Sequence, residues 1–193
     1  MKKIIAIALS IVCVFALFAC AGKTAYQKDA KDFIDAFEST KISTLDVTVV
    51  VDGSQGVLTS TYKTVYNEDG TSTMKYYIET VAGLNSAEDK DVQEGTVTCD
   101  KNGNYTDGGE ISGKLGATGI KFNIGSELIK NYKIIGNTLT ITVAQADAAA
   151  VIGSGAKSDV VIVVSKTSDN SIASVSLSYA GSDGNVSIAC VYN

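Results

Sequence analysis

Cysteine is the residue type in this chain whose position most clearly indicates chemistry. Cys20 follows a short basic start, Lys2 and Lys3, and an almost unbroken apolar run over residues 4–19 that ends at Ala19. A basic start, an apolar stretch and a small residue at the exit are the features of an export signal. The sequence therefore predicts that residues 1–19 direct export of the chain and are removed.

The motif around this cysteine resembles the lipobox of bacterial lipoproteins. Leu17–Cys20 reads Leu-Phe-Ala-Cys, with Phe18 in place of the small residue usual at that position. The resemblance implies that the Cys20 thiol receives a diacylglycerol and becomes the new N-terminus. Residues 20–23 are then a lipidated N-terminus with a short tether, 24–193 form a single domain, and the protein lies on the extracytoplasmic face of the cell membrane.

Two alternatives to lipidation remain open from these residues. Ala19, Cys20 and Ala21 also form a small-x-small cleavage site, which would release a protein without an anchor. Residues 4–21 are also just long enough for an uncleaved membrane anchor, because a spanning helix needs about 20 apolar residues.

Two further cysteines lie in the mature chain, Cys99 and Cys190. An exported protein enters a compartment where disulfides form, so these two residues are a possible disulfide. Both lie in strand-like sequence beside apolar neighbours, and buried free thiols are the alternative, since a free cysteine behaves as a small apolar residue.

Composition excludes several classes of function. Removal of residues 1–19 leaves 174 of the 193 residues, with 14 Lys against 21 acidic residues, a formal charge of −7 and no Arg. Nucleic-acid binding depends on basic patches, so that class is excluded. The chain also has no His and no Trp, which removes imidazole bases, His metal ligands and Ser-His-Asp catalysis. We expect no enzymatic activity, no cofactor and no metal site.

Three short segments resemble known functional motifs, but each lacks a residue or a geometry that the function requires. Residues 100–106 have the oxygen ligands of an EF-hand loop, yet Tyr105 replaces its Gly and Ile111 its final Glu. Ser-x-x-Lys occurs at 60–63 and 72–75, in strand-like sequence where serine and lysine face opposite sides. Residues 153–158 lack the Gly that precedes the Lys of a phosphate-binding loop.

The elements that must position any site begin with an amphipathic helix from Thr24 to about Thr40, with its aromatic residues on one face. Alternating sequence then predicts antiparallel strands, and Asp69-Gly70 marks a hairpin between 57–66 and 73–81. We also expect a loop or short helix over 84–95, a short helix over 126–132 and an inserted helix over 145–152. Final strands are expected at 160–164, 173–179 and 186–192.

This order of elements resembles that of the LolA, LolB and LppX-like lipoprotein carriers. The resemblance is one of architecture over about residues 24–193, and it implies an α+β fold: a curved antiparallel β-sheet, an incomplete barrel, covered by an N-terminal and an inserted helix. It also implies a cavity for a hydrophobic or lipid ligand, which we expect to be lined by Phe33, Phe37, Tyr62, Tyr76 and Ile78. The alternative is a non-enzymatic surface structural or protein-interaction module with a filled core.

Overall fold

The computed structural model describes residues 25–82, 90–101, 105–107, 124, 126–152 and 155–193. The export signal, Cys20 and the tether lie outside these residues. In the part of the chain that is described, no helix combines the length and the apolar character needed to cross a membrane.

The helical elements are short. Helix α1 is Ala25–Asp29, α2 is Lys31–Ser39 and α3 is Ala148–Ile152, with 3₁₀ turns at Ser126–Leu128 and Gln145–Asp147. The sequence predicted one continuous N-terminal helix, but the structure interrupts it at Ala30, where φ is −90° and ψ is 5°. Helix α2 ends at Thr40, whose hydroxyl donates a 2.6 Å hydrogen bond to the Ala36 carbonyl.

Ten strands form one antiparallel sheet. They are β1 Thr44–Gly53, β2 Gly56–Tyr66, β3 Ser72–Ala82, β4 Lys90–Cys99, β5 Tyr105–Asp107, β6 Ile129–Ile135, β7 Thr138–Val143, β8 Val160–Lys166, β9 Ile172–Ala180 and β10 Asn185–Tyr192. Their order across the sheet is β5-β4-β3-β2-β1-β10-β9-β8-β7-β6. The sheet is thus two five-stranded meanders joined where β1 pairs with β10, and within the described residues it does not close.

The predicted β2–β3 hairpin is confirmed. Tyr66 pairs with Ser72, and the turn between them is fixed by a 2.9 Å hydrogen bond from the Thr71 amide to an Asp69 carboxylate oxygen. Gly70 adopts a φ of +84° in this turn, a conformation that favours glycine. The Asp-Gly pair therefore identified the turn between the two strands.

One face of the sheet, which we call the inner face, carries the core. A row of paired residues crosses eight strands on it: Ile141, Ile162, Leu177, Ile188, Val49, Ser60, Ile78 and Gln93. The next row is Leu139, Val164, Val175, Cys190, Val47, Tyr62, Tyr76 and Gly95. Because alternate residues of a strand point to opposite faces, this register collects the apolar side chains on one side.

The N-terminal helices cover one part of the inner face. Phe33, Ala36 and Phe37 of α2 are buried, and α2 makes its main contacts with β8 and β9. Helix α1 lies near β6, where the rings of Tyr26 and Tyr132 meet edge to face with centroids 5.2 Å apart.

Two hydrogen bonds attach these helices to the sheet. The Tyr132 hydroxyl of β6 donates to the Asp29 carboxylate of α1 over 2.7 Å. At the other end of the segment, the Ile172 amide of β9 donates to the Thr40 hydroxyl oxygen over 2.8 Å. The segment that contains α1 and α2 is therefore held against the β6–β9 half of the sheet.

The helical segment predicted over 145–152 is confirmed, as a 3₁₀ turn followed by the five-residue α3 in the connection between β7 and β8. Because both this segment and the N-terminal helices are short, helices cover less of the sheet than expected. Two other expectations about elements were wrong. Ile129–Ile135, expected to belong in part to a helix, is strand β6, because its pairing with β7 outweighs its weak local preference. Lys90–Gly95 was expected in a loop or short helix and is the first part of β4.

Candidate functional site on the inner face of β1 to β4

Three of the five predicted lining residues lie together on the inner face of β2 and β3. Tyr62 pairs with Tyr76, and Ile78 pairs with Ser60, so these side chains occupy adjacent rows of one surface. Tyr62 and Ile78 are buried, whereas Tyr76 is half-buried and packs against the core. The β2–β3 hairpin thus places two phenol rings and an aliphatic side chain beside one another.

The other two predicted lining residues lie on helix α2. Phe33 and Phe37 are both buried in the same core cluster as Tyr62, and Tyr76 packs against that cluster, whereas Ile78 is buried outside it. The ammonium of Lys166, at the end of β8, lies 4.6 Å from the centre of the Phe33 ring, a cation–π contact. A ligand-binding role for these five residues stays a prediction.

Tyr76 lies across a glycine that sequence reasoning did not single out. Gly95 of β4 pairs with Tyr76, and a β-carbon at Gly95 would lie 2.5 Å from the Tyr76 hydroxyl oxygen and 2.7 Å from its Cζ. The missing side chain therefore leaves the space in which the Tyr76 ring lies, an arrangement in which an aromatic residue covers the backbone of a neighbouring glycine.

A short polar strip interrupts the apolar rows in the middle of this face. Ser60 and Thr64 of β2 and Ser72 of β3 are buried polar residues on the inner face. Ser60 is 0% exposed and Tyr62 2%. Neither hydroxyl makes a hydrogen bond of full geometry to a described residue, but the two lie close enough for the Ser60 side chain to hydrogen-bond to Tyr62 and lower its pKa.

The phenol of Tyr62 remains protonated at neutral pH. Burial raises its pKa above the ordinary value of 10.0, and the neighbouring Ser60 hydroxyl lowers it by less. Tyr62 therefore presents a neutral hydroxyl that can both donate and accept a hydrogen bond.

The sequence predicts Tyr62 on this face, but Ser60 was not singled out as a buried, inward-facing hydroxyl. The available signal was a serine at an inward position of an alternating strand, between Leu58 and Tyr62. The Ser-x-x-Lys motif itself is excluded by geometry, because Ser60 is buried on one face of β2 while Lys63 is exposed on the other. The same holds for Ser72 and Lys75 of β3.

Cys99 and Cys190 are free, buried thiols in the structure and do not form the possible disulfide. Cys99 is on β4 and Cys190 on β10, with three strands between them in the sheet. Four strand spacings of about 4.8 Å separate them by about 19 Å along the sheet, whereas the Cα atoms of a disulfide lie within about 7 Å.

Burial makes both thiols poor nucleophiles. It raises the pKa of Cys190 from 9.0 to about 11, and it also raises the pKa of Cys99. The thiolate is the reactive form of cysteine, and only a small fraction of either residue is ionised at neutral pH.

The remaining sequence motifs yield no site within the described residues. Parts of the segments 100–111 and 153–158 lie outside them. In the described ranges, no three His, Cys, Asp or Glu side chains are grouped as metal ligands.

No protein-family model and no curated protein matches the chain. Among solved structures, LprF from Mycobacterium bovis is similar at 13% identity and a TM-score of 0.36, covering 84% of this chain and 91% of that one. A DUF1329 family protein from Desulfovibrio piger ATCC 29098 is similar at 10% identity and a TM-score of 0.27, covering 86% and 89%. A bifunctional dehydratase-cyclase domain in ambruticin biosynthesis has 10% identity and a TM-score of 0.24, covering 95% and 86%.

Similarities at these TM-scores assign neither a fold family nor a function. The expected relationship to the LolA-type carriers therefore stays a prediction.

Proposed function

We propose that this protein is a lipid-anchored, exported lipoprotein that holds a hydrophobic or lipid ligand against the inner face of its sheet. The observation that supports the ligand is the extent of the inner face. Its two central rows are apolar on β7 to β10 and on β1, and mostly apolar on β2 and β3, whereas they end at Gln93 and Gly95 of β4. Helix α2 makes its main contacts with only two of these strands.

The dimensions support a curved sheet around such a ligand. Ten strands laid flat would extend about 43 Å, at about 4.8 Å per strand. The segment 25–39 that contains α1 and α2 is only about 22 Å long, at about 1.5 Å per residue. Twisted sheets of this number of strands curl, and curling brings the inner face of β1–β4 towards the helices.

Lipid anchoring through Cys20 supplies the localisation. A single acyl chain binds membranes at only about 10⁴ M⁻¹, whereas several chains on one cysteine hold a protein stably. We expect the chain to incorporate labelled palmitate and to fractionate with membranes, on the extracytoplasmic face. Cys20→Ser removes the acceptor thiol, so it should abolish labelling. Equal labelling of both forms would contradict the anchor.

Native mass spectrometry of the full chain, purified from a bacterial host and released from detergent micelles in the instrument, tests the ligand. We expect an additional mass of lipid size that disappears after extraction with organic solvent. If the mass is that of the protein alone, and stays so after incubation with mixed lipids, the ligand-binding proposal is wrong.

A protein-interaction module is the second candidate, and it is favoured by one edge of the sheet. β6 is an edge strand in the described sheet, and Ile135 at its end is 62% exposed. An exposed edge can pair with a strand of another protein. If this edge binds a partner, Ile135→Lys should weaken the complex in a pull-down from membranes without altering any bound lipid mass.

A further inference from the structure

We propose that two copies of this chain, anchored in one membrane, pair through their β6 strands as antiparallel neighbours in one continuous sheet. Ile134 lies on the twofold axis of the pair, opposite Ile134 of the second copy. The pairing rests on the lipid anchor in the proposed function but not on the ligand, and it identifies the partner of the second candidate function as another copy of the chain.

One end of β6 exposes isoleucines on both faces of the sheet. Ile134 is 36% exposed and Ile135 is 62% exposed, and among the described residues no other two consecutive large apolar side chains are both exposed. Ile134 pairs with Leu139 on the inner face, and Ile135 pairs with Thr138 on the outer face. A helix packed on one face would cover only one of them. A strand added along the edge covers both, because its side chains alternate between the two faces.

β6 lacks the usual protection of an edge strand. Edge strands are commonly short or carry charges that oppose pairing. β5, at the other edge of the described sheet, has three residues, whereas β6 has seven. Lys130 lies where the pairing of β6 with β7 is irregular, and its ammonium donates to Asp159 over 2.7 Å. Lys133 is therefore the one charged residue on the regular part of the strand, residues 131–135.

Charge determines the register of the pair. A twofold pair centred on Lys133 would place two ammoniums directly opposite each other, which is unfavourable. A pair centred on Tyr132 would place Ile134 opposite Lys130, in the irregular part of the strand. A pair centred on Ile134 places each Ile135 opposite Lys133 of the second copy. The aliphatic stem of the lysine then covers the isoleucine while its ammonium stays in water.

The path of the chain towards the anchor is compatible with this symmetry. Helix α1 lies on the inner side of β6, because Tyr132 is an inner-face residue and contacts both Tyr26 and Asp29. Residues 20–24 can span at most about 18 Å, so the acyl chains on Cys20 lie within that distance of α1. The twofold axis of two antiparallel neighbours is perpendicular to the sheet and leaves both inner faces on the same side. Both anchors can then enter the same membrane.

Anchoring also supplies the concentration that such a contact needs. Interfaces that bury less than about 1,200 Å² in total are weak and transient, and a contact along part of one strand is in that class. Two copies held on one surface in the same orientation meet at a much higher effective concentration than free copies. We therefore expect a dimer in the membrane and a monomer in dilute detergent.

Cysteine cross-linking in vesicles tests the pairing. The full, lipid-anchored protein carrying Ile134→Cys is purified, reconstituted alone in phosphatidylcholine vesicles and oxidised with copper phenanthroline. Directly opposite residues of antiparallel strands have Cα atoms about 5.5 Å apart, which is within the range of a disulfide. We expect a covalent dimer of twice the chain mass. The parent protein should give none, because Cys20 is acylated and Cys99 and Cys190 are buried.

Val191→Cys is the matched control. Val191 is 43% exposed, but it lies on β10, four strands from β6. At about 4.8 Å per strand, its two copies lie well beyond the reach of a disulfide, so Ile134→Cys should give at least about tenfold more dimer. Equal amounts of dimer from the two variants would show random collision and would overturn the inference.

A charge substitution and its reversal test the register. In the Ile134→Cys protein, Ile135→Lys should abolish the dimer, because the introduced charge faces Lys133 of the second copy. Lys133→Glu in addition should restore the dimer, because opposite charges then face each other. Ile135→Val controls for the lost size and should leave the dimer in place. If Ile135→Lys has no effect, or if Lys133→Glu fails to restore the dimer, the pairing is wrong.

Failure of this inference is distinguishable from failure of the proposed function. Labelling with palmitate reports the anchor of each variant separately. Labelled protein that gives no dimer would overturn the pairing and leave the anchor in place, whereas unlabelled protein would overturn both. A cross-linked product in whole membranes with a mass other than twice that of the chain would identify a different protein as the partner of β6 and would also overturn the pairing.

Discussion

Alkaline pH should destabilise this protein in part through the buried thiol of Cys190. The residue is 5% exposed on β10, where it pairs with Val47 on one side and Val175 on the other. Burial in these apolar surroundings raises the pKa of its thiol from 9.0 to about 11. The folded protein therefore retains the proton at pH values at which the unfolded chain has lost it.

The sign and size of the effect follow from proton linkage. Between pH 9 and pH 11 the unfolded chain binds fewer protons at this position than the folded protein, so the free energy of unfolding decreases as the pH rises. The contribution of Cys190 is fully present below pH 9. A difference of two pKa units corresponds to about 2.7 kcal/mol when the pH has passed both values, and about 1.4 kcal/mol of this is lost by about pH 10.

Urea unfolding followed by circular dichroism at about pH 7 and about pH 10, in the presence of a reductant, measures this loss. Cys190→Ala removes the titrating group. The variant should therefore be less stable at neutral pH through lost packing, yet lose about 1.4 kcal/mol less than the parent protein on going to pH 10. Burial raises the pKa of the Tyr192 and Tyr66 phenols, and Cys190 adds to both shifts. The difference between variant and parent therefore reports the thiol together with its coupling to these two phenols.

Cys99→Ala is the matched control, because burial raises the pKa of both thiols and a neighbouring hydroxyl opposes each shift, Ser72 at Cys99 and Tyr192 at Cys190, while the shift at Cys190 is the large one. Its pH dependence should differ from that of the parent by less than that of Cys190→Ala. If Cys190→Ala and the parent protein lose equal stability between the two pH values, the thiol is not desolvated as described and the reasoning is refuted.

Three further outcomes are expected. Ellman titration should find almost no reactive thiols in the folded, processed protein and two after unfolding. A count of zero in the unfolded protein would show that the two buried cysteines are bridged. Gly184→Ala should cost more than about 2 kcal/mol in urea unfolding, because its β-carbon would lie 2.2 Å from the Asp52 carbonyl oxygen at a φ of +152°. Gly136 also has a positive φ, +54°, but a β-carbon there would meet no atom within 4 Å, so Gly136→Ala should cost only about 1 kcal/mol of stability. Equal losses in the two variants would contradict the predicted clash at Gly184. Thr40→Ala should lower the free energy of unfolding by about 1–2 kcal/mol, because it leaves the Ile172 amide unpaired. Thr40→Ser keeps the hydroxyl and should restore most of this stability. An equal loss in both variants would assign the destabilisation to the lost methyl group instead.

The sequence was a good guide wherever local chemistry and the global fold agree. The β2–β3 hairpin could be located because Asp69-Gly70 favours a tight turn and both flanking segments alternate, and β7 and β10 followed from alternation alone. Alternation also showed which side chains share a face, including Tyr62 and Tyr76. It could not show which strands are neighbours, since the β1–β10 pairing joins segments more than a hundred residues apart.

The errors occurred where tertiary pairing outweighs local preference. Lys90–Gly95 is acidic and contains a glycine, which is typical of a loop, yet it pairs along β3 because the Tyr76 ring fills the space that Gly95 leaves. The segment 126–132 was expected to be a short helix, yet after the 3₁₀ turn Ser126–Leu128 the chain pairs with β7 as strand β6. In both cases the deciding contact comes from a strand that the local sequence does not reveal.

The same reasoning explains why the candidate site was only half visible in the sequence. Aromatic residues attract attention in a search for ligand contacts, and Tyr62 was found for that reason. Ser60 is small and common in strands, and it becomes informative only once pairing places it between Val49 and Ile78 on a buried face. Its hydroxyl lies beside that of Tyr62 and lowers the pKa of the phenol through a hydrogen bond. The two residues therefore form one polar contact within apolar rows, and removal of either hydroxyl leaves the other without its neighbour.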